Sequence, residues 1–258
     1  MSAVRHPEHD DLARTVRDWF RLPFEGMGYR AEAGRWGAYW DTGYVYPIAF
    51  PLGQVKEFLA DLRQRYGERP ATIAVDDPTL DASLGPALCA AGCVRGTADL
   101  FLAHVGDLPR PPPLEGLQIE LACPANLVAL ATTRLQAFSD PERDPGADAV
   151  CAEVDRRQAE MGGTGRGMLA RLHGQAAGMT WWYREPQDVW INFLGVRAAF
   201  RRRGIGERLL ATCLARAYGE GCRSVVINVL AENEPAIRLY HRIGFVDQVY
   251  SRQRYLIP

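Results

Sequence analysis

The sequence predicts an α/β protein with a mixed sheet, built as two successive halves. Three observations carry that expectation. Short apolar runs alternate with amphipathic helical periods along most of the chain. A proline run, Arg110-Pro111-Pro112-Pro113, interrupts the alternation near the middle, and consecutive prolines supply no backbone donors and favour an extended spacer. The order of elements before the run recurs after it. The length fits: 258 residues are many for one α/β domain and few for two full ones. With 24% charged and 47% hydrophobic residues, wholesale disorder and fibrous repeats are excluded. Thirty basic against 31 acidic residues give a net charge of -1, so nothing global favours nucleic acid or an anionic membrane.

Each element has a local reason. Residues 10–21 are expected to form a helix on the stripe Leu12, Val16, Trp19 and Phe20. Residues 36–48 alternate aromatics with small residues, as strands with a turn at Asp41-Thr42-Gly43. A helix over 52–66 puts Val55, Phe58, Leu59 and Leu62 on one face, and 71–75 is a short apolar strand. Residues 82–91 form a helix that Gly92 can close in the left-handed conformation, and 93–105 a strand. After the prolines, 117–121 is a strand, 124–138 and 147–161 are helices, and 168–172, 175–183 and 189–196 are strands. His173-Gly174 suits a tight hairpin turn. A helix over 204–218, a strand over 224–230, a helix over 233–243 and a strand over 245–256 complete the chain.

The first ten residues lack the apolar core of a signal peptide, and no stretch approaches the ~18 apolar residues of a membrane span. The six cysteines form no Cys-x-x-Cys pair, and no histidine pair stands at zinc spacing. Buried free thiols in a reducing cytoplasm, and no metal, are expected.

The most informative stretch runs from Leu194-Gly195-Val196 through Arg201-Arg202-Arg203-Gly204-Ile205-Gly206, joining an apolar strand to an amphipathic helix. Glycines let backbone amides approach a ligand, the first N–H groups of a helix lack intrahelical partners, and the helix dipole favours an anion there. The arginines add positive charge, so the segment fits a phosphate or pyrophosphate cradle. It lacks the Lys-Ser/Thr of a P-loop and the Gly-x-Gly-x-x-Gly of a dinucleotide fold. The plainer alternative is a glycine-capped helix start with solvated arginines. Downstream, Asn233 is a good N-cap, Pro235 suits the first turn, and Tyr240 lies two turns on along the same helix face as Asn233.

Two spaced motifs in this order, Arg201-x-x-Gly204-x-Gly206 and Asn233-x-x-Ala236-x-x-x-Tyr240-x-x-x-Gly244-Phe245, resemble the GCN5-related N-acetyltransferase (GNAT) family over about residues 117–258. The resemblance implies a mostly antiparallel central sheet flanked by helices, and acetyl-CoA as co-substrate. It implies an amine acceptor, favoured to be a small molecule, attacking the thioester directly. By the family pattern, the amides of Arg202, Arg203, Gly204, Ile205 and Gly206, with Arg201, would hold the pyrophosphate. The backbone of Leu194, Gly195 and Val196 would pair with the pantetheine arm and offer a donor to the thioester carbonyl. Asn233 would contact the pantetheine, and Tyr240 would be the general acid for the departing thiolate. The plainer role for Tyr240 is core packing against Phe245. The rival function is an acyl-CoA-binding regulator without catalysis. No nucleic-acid or membrane partner is expected; a homodimer is left open.

The general base stays unassigned. Many family members carry a glutamate before the phosphate loop; here Asn192 stands four residues before Val196 and cannot accept the proton. Asp188, Glu232, His173 and His241 are the other ionisable groups considered. In the first half, shifted by 152 residues, Leu62, Tyr66, Gly67 and Glu68 align with Leu214, Tyr218, Gly219 and Glu220. The functional residues do not repeat: Ala49, Leu52 and Gln54 oppose Arg201, Gly204 and Gly206, Leu88 opposes Tyr240, and Asp81 opposes Asn233. The expected organisation is a degenerate GNAT-like domain over 1–109, a linker over 110–116 and an acetyltransferase domain over 117–258. Trp36, Tyr39, Trp40, Tyr44 and Tyr46 could wall an acceptor pocket or fill a sheet core, and Trp181, Trp182 and Trp190 carry the same ambiguity.

Overall fold

The structure, a computed structural model, describes residues 31–33, 35, 37–40, 43–47, 52–75, 78–138 and 145–257. The helix expected over 10–21 lies outside them. The first half contributes β1 (Ala31–Ala33), β2 (Gly37–Trp40), β3 (Tyr44–Pro47), α1 (Val55–Tyr66), β4 (Thr72–Val75), α2 (Pro78–Ala90), β5 (Val94–Arg95) and β6 (Asp99–His104). The second contributes β7 (Leu117–Leu121), α3 (Leu127–Phe138), α4 (Ala147–Met161), β8 (Gly165–Leu172), β9 (Gln175–Arg184), β10 (Asp188–Val196), α5 (Ile205–Gly219), β11 (Ser224–Leu230), α6 (Glu234–Ile243) and β12 (Phe245–Leu256). The result is a mixed, largely antiparallel open sheet flanked by helices.

Local chemistry explains most boundaries. His173 and Gly174 both have positive φ, 48° and 79°, so the two-residue turn between β8 and β9 is of the primed kind that matches strand twist. Residues 124–126 do not join α3. Instead Asn126 takes a hydrogen bond from the Cys123 amide and gives one to the Leu121 carbonyl, closing a turn before the helix. Gly204 stands outside α5 as a left-handed N-cap, and residues 52–54 form a single 3-10 turn before α1.

The strand expected over 93–105 breaks at Gly96 into β5 and β6, and the two go to different places. The sheet order is β1-β2-β3-β4-β12-β6-β11-β10-β9-β8-β7, with β5 on β12. Strand β6, from the first half, lies antiparallel between β11 and the start of β12. The end of β12, residues 253–256, returns the arrangement by lying antiparallel between β4 and β5. Each half therefore completes the other's sheet. The Arg254 guanidinium grips the buried Asp99 carboxylate where β12 passes from one set of neighbours to the other, with Nε–Oδ2 at 2.8 Å and Nη2–Oδ1 at 2.6 Å.

Three apolar clusters follow. One buries α1 and α2 on the first half's strands, with Tyr39, Phe58, Leu62, Ile73 and Tyr255 inside. A second packs α5 and α6 against one face of the second half's strands, and a third lies on the opposite face with Leu130 of α3. Trp182 belongs to the second cluster and Trp181 and Trp190 to the third, so these tryptophans are core. Tyr39 is core as well, its hydroxyl donating to Asp61 at 3.0 Å. Trp36 and the side chains of Trp40, Tyr44 and Tyr46 lie outside the described residues. All six cysteines are free thiols, but Cys89, Cys123 and Cys151 are exposed rather than buried.

The proline segment is docked rather than suspended. Leu114 packs against the second cluster, and the Gly116 carbonyl accepts from the His173 amide at 2.9 Å. No helix among the described residues is long and apolar enough to cross a membrane.

Candidate active site

The site arises where two parallel strands part. Strands β10 and β11 pair in parallel from Asp188–Ser224 to Ile191–Ile227 and no further. A bulge at Asn192 shifts the register of β10 against β9, and bulges bend the strand that carries them. Beyond it β10 follows β9 to Val196–Gly178, while β11 follows β6 to Leu230–Asp99. The β10 edge at Leu194, Gly195 and Val196 is thus left without a strand partner on the β11 side. Such an edge offers backbone donors and acceptors to an extended ligand.

A groove of about 750 Å³ occupies the gap. Its walls are the β10 edge, the loop and first turn of α5, the inner face of α6 and the end of α3. Close packing shapes it: a Cβ on Gly195 would meet Phe138 at 2.7 Å and Ala137 at 2.8 Å, so only glycine lets α3 lie against this strand.

The loop into α5 has alternating backbone handedness. Arg201 is extended, Arg202 has φ 64° and Gly204 φ 76°. Left-handed residues in alternation turn successive N–H groups to one side and form an anion-binding nest. Arg202 holds a positive φ without being glycine, a strain of about 1 kcal/mol or more that the surroundings must enforce. The α5 dipole adds its positive end at the same place.

Of the residues singled out in the sequence, Leu194, Gly195, Val196, Arg201, Arg202, Gly204, Ile205, Gly206, Asn233 and Tyr240 all line this groove. Arg203 does not; its guanidinium lies 5.8 Å from the Phe200 ring centroid. Arg201 is tied to backbone carbonyls, Nε to Val196 at 3.0 Å and Nη2 to Ala137 at 3.3 Å, which clasps the loop to the end of α3. Asn233 caps α6, its Oδ1 accepting from the Ala236 amide at 3.3 Å. Residues the motifs did not flag also contribute. Arg238 and Arg242 of α6 line the groove, and so does Glu207, a carboxylate that faces Arg242 at 3.9 Å.

Tyr240 is 5% exposed and contacts Phe245 edge-to-face at 6.2 Å, so the packing role and the groove role coincide. Burial pushes its pKa well above the ordinary phenol value, so the hydroxyl is a proton donor throughout the working range. Among the ionisable groups considered as bases, Asp188 accepts from Ser224 at the far end of β10, and Glu232 accepts from Thr97. His173 and His241 are exposed. None of the four lines the groove.

The family match lies in the second half, while the likeness to solved structures spans both. Residues 128–245 match the model of the acetyltransferase (GNAT) family. The chain is 28% identical over 145 residues to the mycothiol acetyltransferase of Streptomyces coelicolor, covering 54% of this chain and 46% of that protein. The chain spans less than half the length of the curated relatives it matches. In fold it is similar to a GCN5-related N-acetyltransferase from Kribbella flavida, with TM-score 0.65 and 16% identity over 95% of each chain. It is also similar to a tandem GNAT protein from the clavulanic acid biosynthesis pathway, with TM-score 0.57 and 15% identity, covering 86% of this chain and 78% of that one.

Proposed function

We propose that the protein is an N-acetyltransferase, with residues 128–245, which match the acetyltransferase (GNAT) family model, carrying an acetyl group from acetyl-CoA to an amine by direct attack on the thioester. One observation carries the reading. A single groove holds an anion nest at a helix start, an unpartnered strand edge and a buried, protonated phenol. These three features suit the three parts of acetyl-CoA: pyrophosphate, amide-rich pantetheine and thioester.

In this reading the amides of Arg202 to Gly206 hold the pyrophosphate, with the Arg202 side chain supplying charge. The pantetheine arm extends the sheet along Leu194 to Val196, and Asn233 flanks it. The amine adds to the thioester carbonyl, whose oxygen gains negative charge beside the β10 backbone donors. As the carbon–sulfur bond breaks, the Tyr240 hydroxyl gives its proton to the sulfur. The proton leaving the amine goes to water. The acceptor is a small amine; the relatives named mycothiol acetyltransferase make small-molecule amines the first class to test.

We also infer that the first half, residues 1–109, is a degenerate domain of the same kind. Support comes from β3 pairing parallel with β4 as β10 does with β11, and from helices α1 and α2 standing where α5 and α6 stand. At the same offset of 152 residues, β6 falls on residues 251–256 of β12, the stretch whose end crosses to the first half.

Asn192, rather than a carboxylate, at the bulge position favours a second reading, a protein that binds acyl-CoA without turning it over. Calorimetric titration with acetyl-CoA and thiol release over an amine panel decide between them. Saturable binding with amine-dependent release supports the enzyme. Binding without release on a broad panel supports the binding protein, and no binding removes both.

A further inference from the structure

The nest has a support that no motif contains. Arg208, one turn into α5, folds back along its own helix and donates from Nη1 to the Gly204 carbonyl at 2.9 Å. The same carbonyl accepts from the Arg208 amide at 3.2 Å. The other terminal nitrogen, Nη2, donates to the carbonyl of Pro112 in the proline segment. One guanidinium thus joins the helix cap to the chain between the two halves. Arg208 does not line the groove; it acts from behind the loop.

The geometry has a direct consequence. A peptide group is planar and trans, so its C=O and N–H point opposite ways. Fixing the Gly204 carbonyl along α5 fixes the Ile205 N–H in the opposite direction, out of the helix start and toward the groove. Charge-assisted hydrogen bonds are about twice as strong as neutral ones, so Arg208 is a stiff brace for that peptide. The fit is tight: a Cβ on Gly204 would stand 2.3 Å from Nη1 of Arg208. On the other side, Pro111, Pro112 and Pro113 have no N–H groups, so their segment needs outside donors to be held, and Arg208 is one. Leu114 in the core and Gly116 against His173 hold the rest of the strap.

Resting on the reading of the groove as the acetyl-CoA site, we propose that Arg208 is a positioning residue that braces the Gly204–Ile205 peptide for the pyrophosphate and straps the proline segment to it. The segment between the halves is therefore part of the cofactor site's support.

The test uses the full chain with Arg208→Met, which keeps length and loses the donors, and Arg208→Lys. Calorimetry compares acetyl-CoA with S-acetylpantetheine, which lacks the pyrophosphate, and hydrogen exchange follows residues 108–117 without ligand. Arg208→Met should weaken acetyl-CoA about tenfold, as loss of a charged hydrogen bond does, and leave S-acetylpantetheine unchanged. It should also speed exchange in 108–117, with Arg208→Lys between it and the wild type. Equal weakening toward both ligands would show a general packing role and overturn the proposal. So would unchanged acetyl-CoA affinity, or unchanged exchange in the strap. Failure of the wild type to bind acetyl-CoA would count against the functional reading instead, while the ligand-free exchange still decides whether Arg208 holds the strap.

Discussion

Tyr240 both packs and borders the groove: its ring stands edge-to-face beside Phe245, and the residue lines the groove wall. Tyr240→Phe keeps the ring and removes the proton. Turnover should fall about 10²-fold or more, the usual worth of a positioned acid, while acetyl-CoA affinity changes little; wild-type turnover would remove Tyr240 from the mechanism. His104 on β6 makes a second prediction. It is buried against Tyr218 and Phe245, with Nδ1 3.1 Å from the Tyr218 hydroxyl. Burial lowers its pKa below 6.5, outweighing the backbone contact at Ile243. The unfolded chain then binds the extra proton first, so stability is full above about pH 6.5 and falls as pH drops toward the folded-state pKa. Urea unfolding at pH 7.5 and 5.5 should show this loss, and His104→Asn should reduce it; equal pH dependence in both proteins would assign the loss to other groups.

At the scale of elements, the loop into α5 and the crossing strand answer to different forces. Gly204 combines a left-handed φ with the Arg208 guanidinium beside it, so Gly204→Ala strains the backbone and displaces the brace at once. It should cost about 1 kcal/mol of stability or more and weaken acetyl-CoA binding, both measurable by thermal shift with and without ligand; an unchanged ligand-induced shift would speak against the cradle. The Asp99–Arg254 pair locks β12 where it passes between the two sets of strands. Asp99→Ala leaves the guanidinium without its buried partner and should cost about 3 kcal/mol, seen as a lower urea midpoint. The sequence showed both glycines of the loop and the N-cap at Asn233 because short-range rules govern them: helix ends need caps, and left-handed turns favour glycine. It did not show Arg201 clasping Ala137 or Arg208 reaching Pro112, since no local pattern marks an arginine whose acceptor is distant in the chain.

At the scale of the whole molecule, the two halves are not separable units. Without β6 the second half has a gap between β11 and β12, and without the end of β12 the first half has one between β4 and β5. A chain of residues 117–258 alone should fail to form a stable monomer, judged by circular dichroism and gel filtration, although it holds every residue of both motifs. A folded monomer that binds acetyl-CoA would show the exchange to be dispensable. The single strand expected over 93–105 is where the sequence misled. Residues 93–105 are apolar and β-prone enough to pass as one strand, and hydrophobic period alone does not say which neighbour a strand will choose.

The sequence by itself determined what neighbouring residues decide. It gave most strands and helices from residue 52 on, the hairpin at His173-Gly174, the glycine loop into α5, and the face that carries Asn233 and Tyr240 together. These rest on periods of 2 and 3.6 residues and on dihedral preferences, which act over a few positions. Only the tertiary structure decided that β10 and β11 part after Ile191, that β6 and the end of β12 cross between the halves, and that Arg208 joins the proline segment to the start of α5. Those outcomes depend on backbone hydrogen bonds and ion pairs between segments far apart in the chain, such as β4 with the end of β12 and Asp99 with Arg254. Long-range pairing is selected by the fit of whole surfaces, and no short window of sequence contains both sides of it.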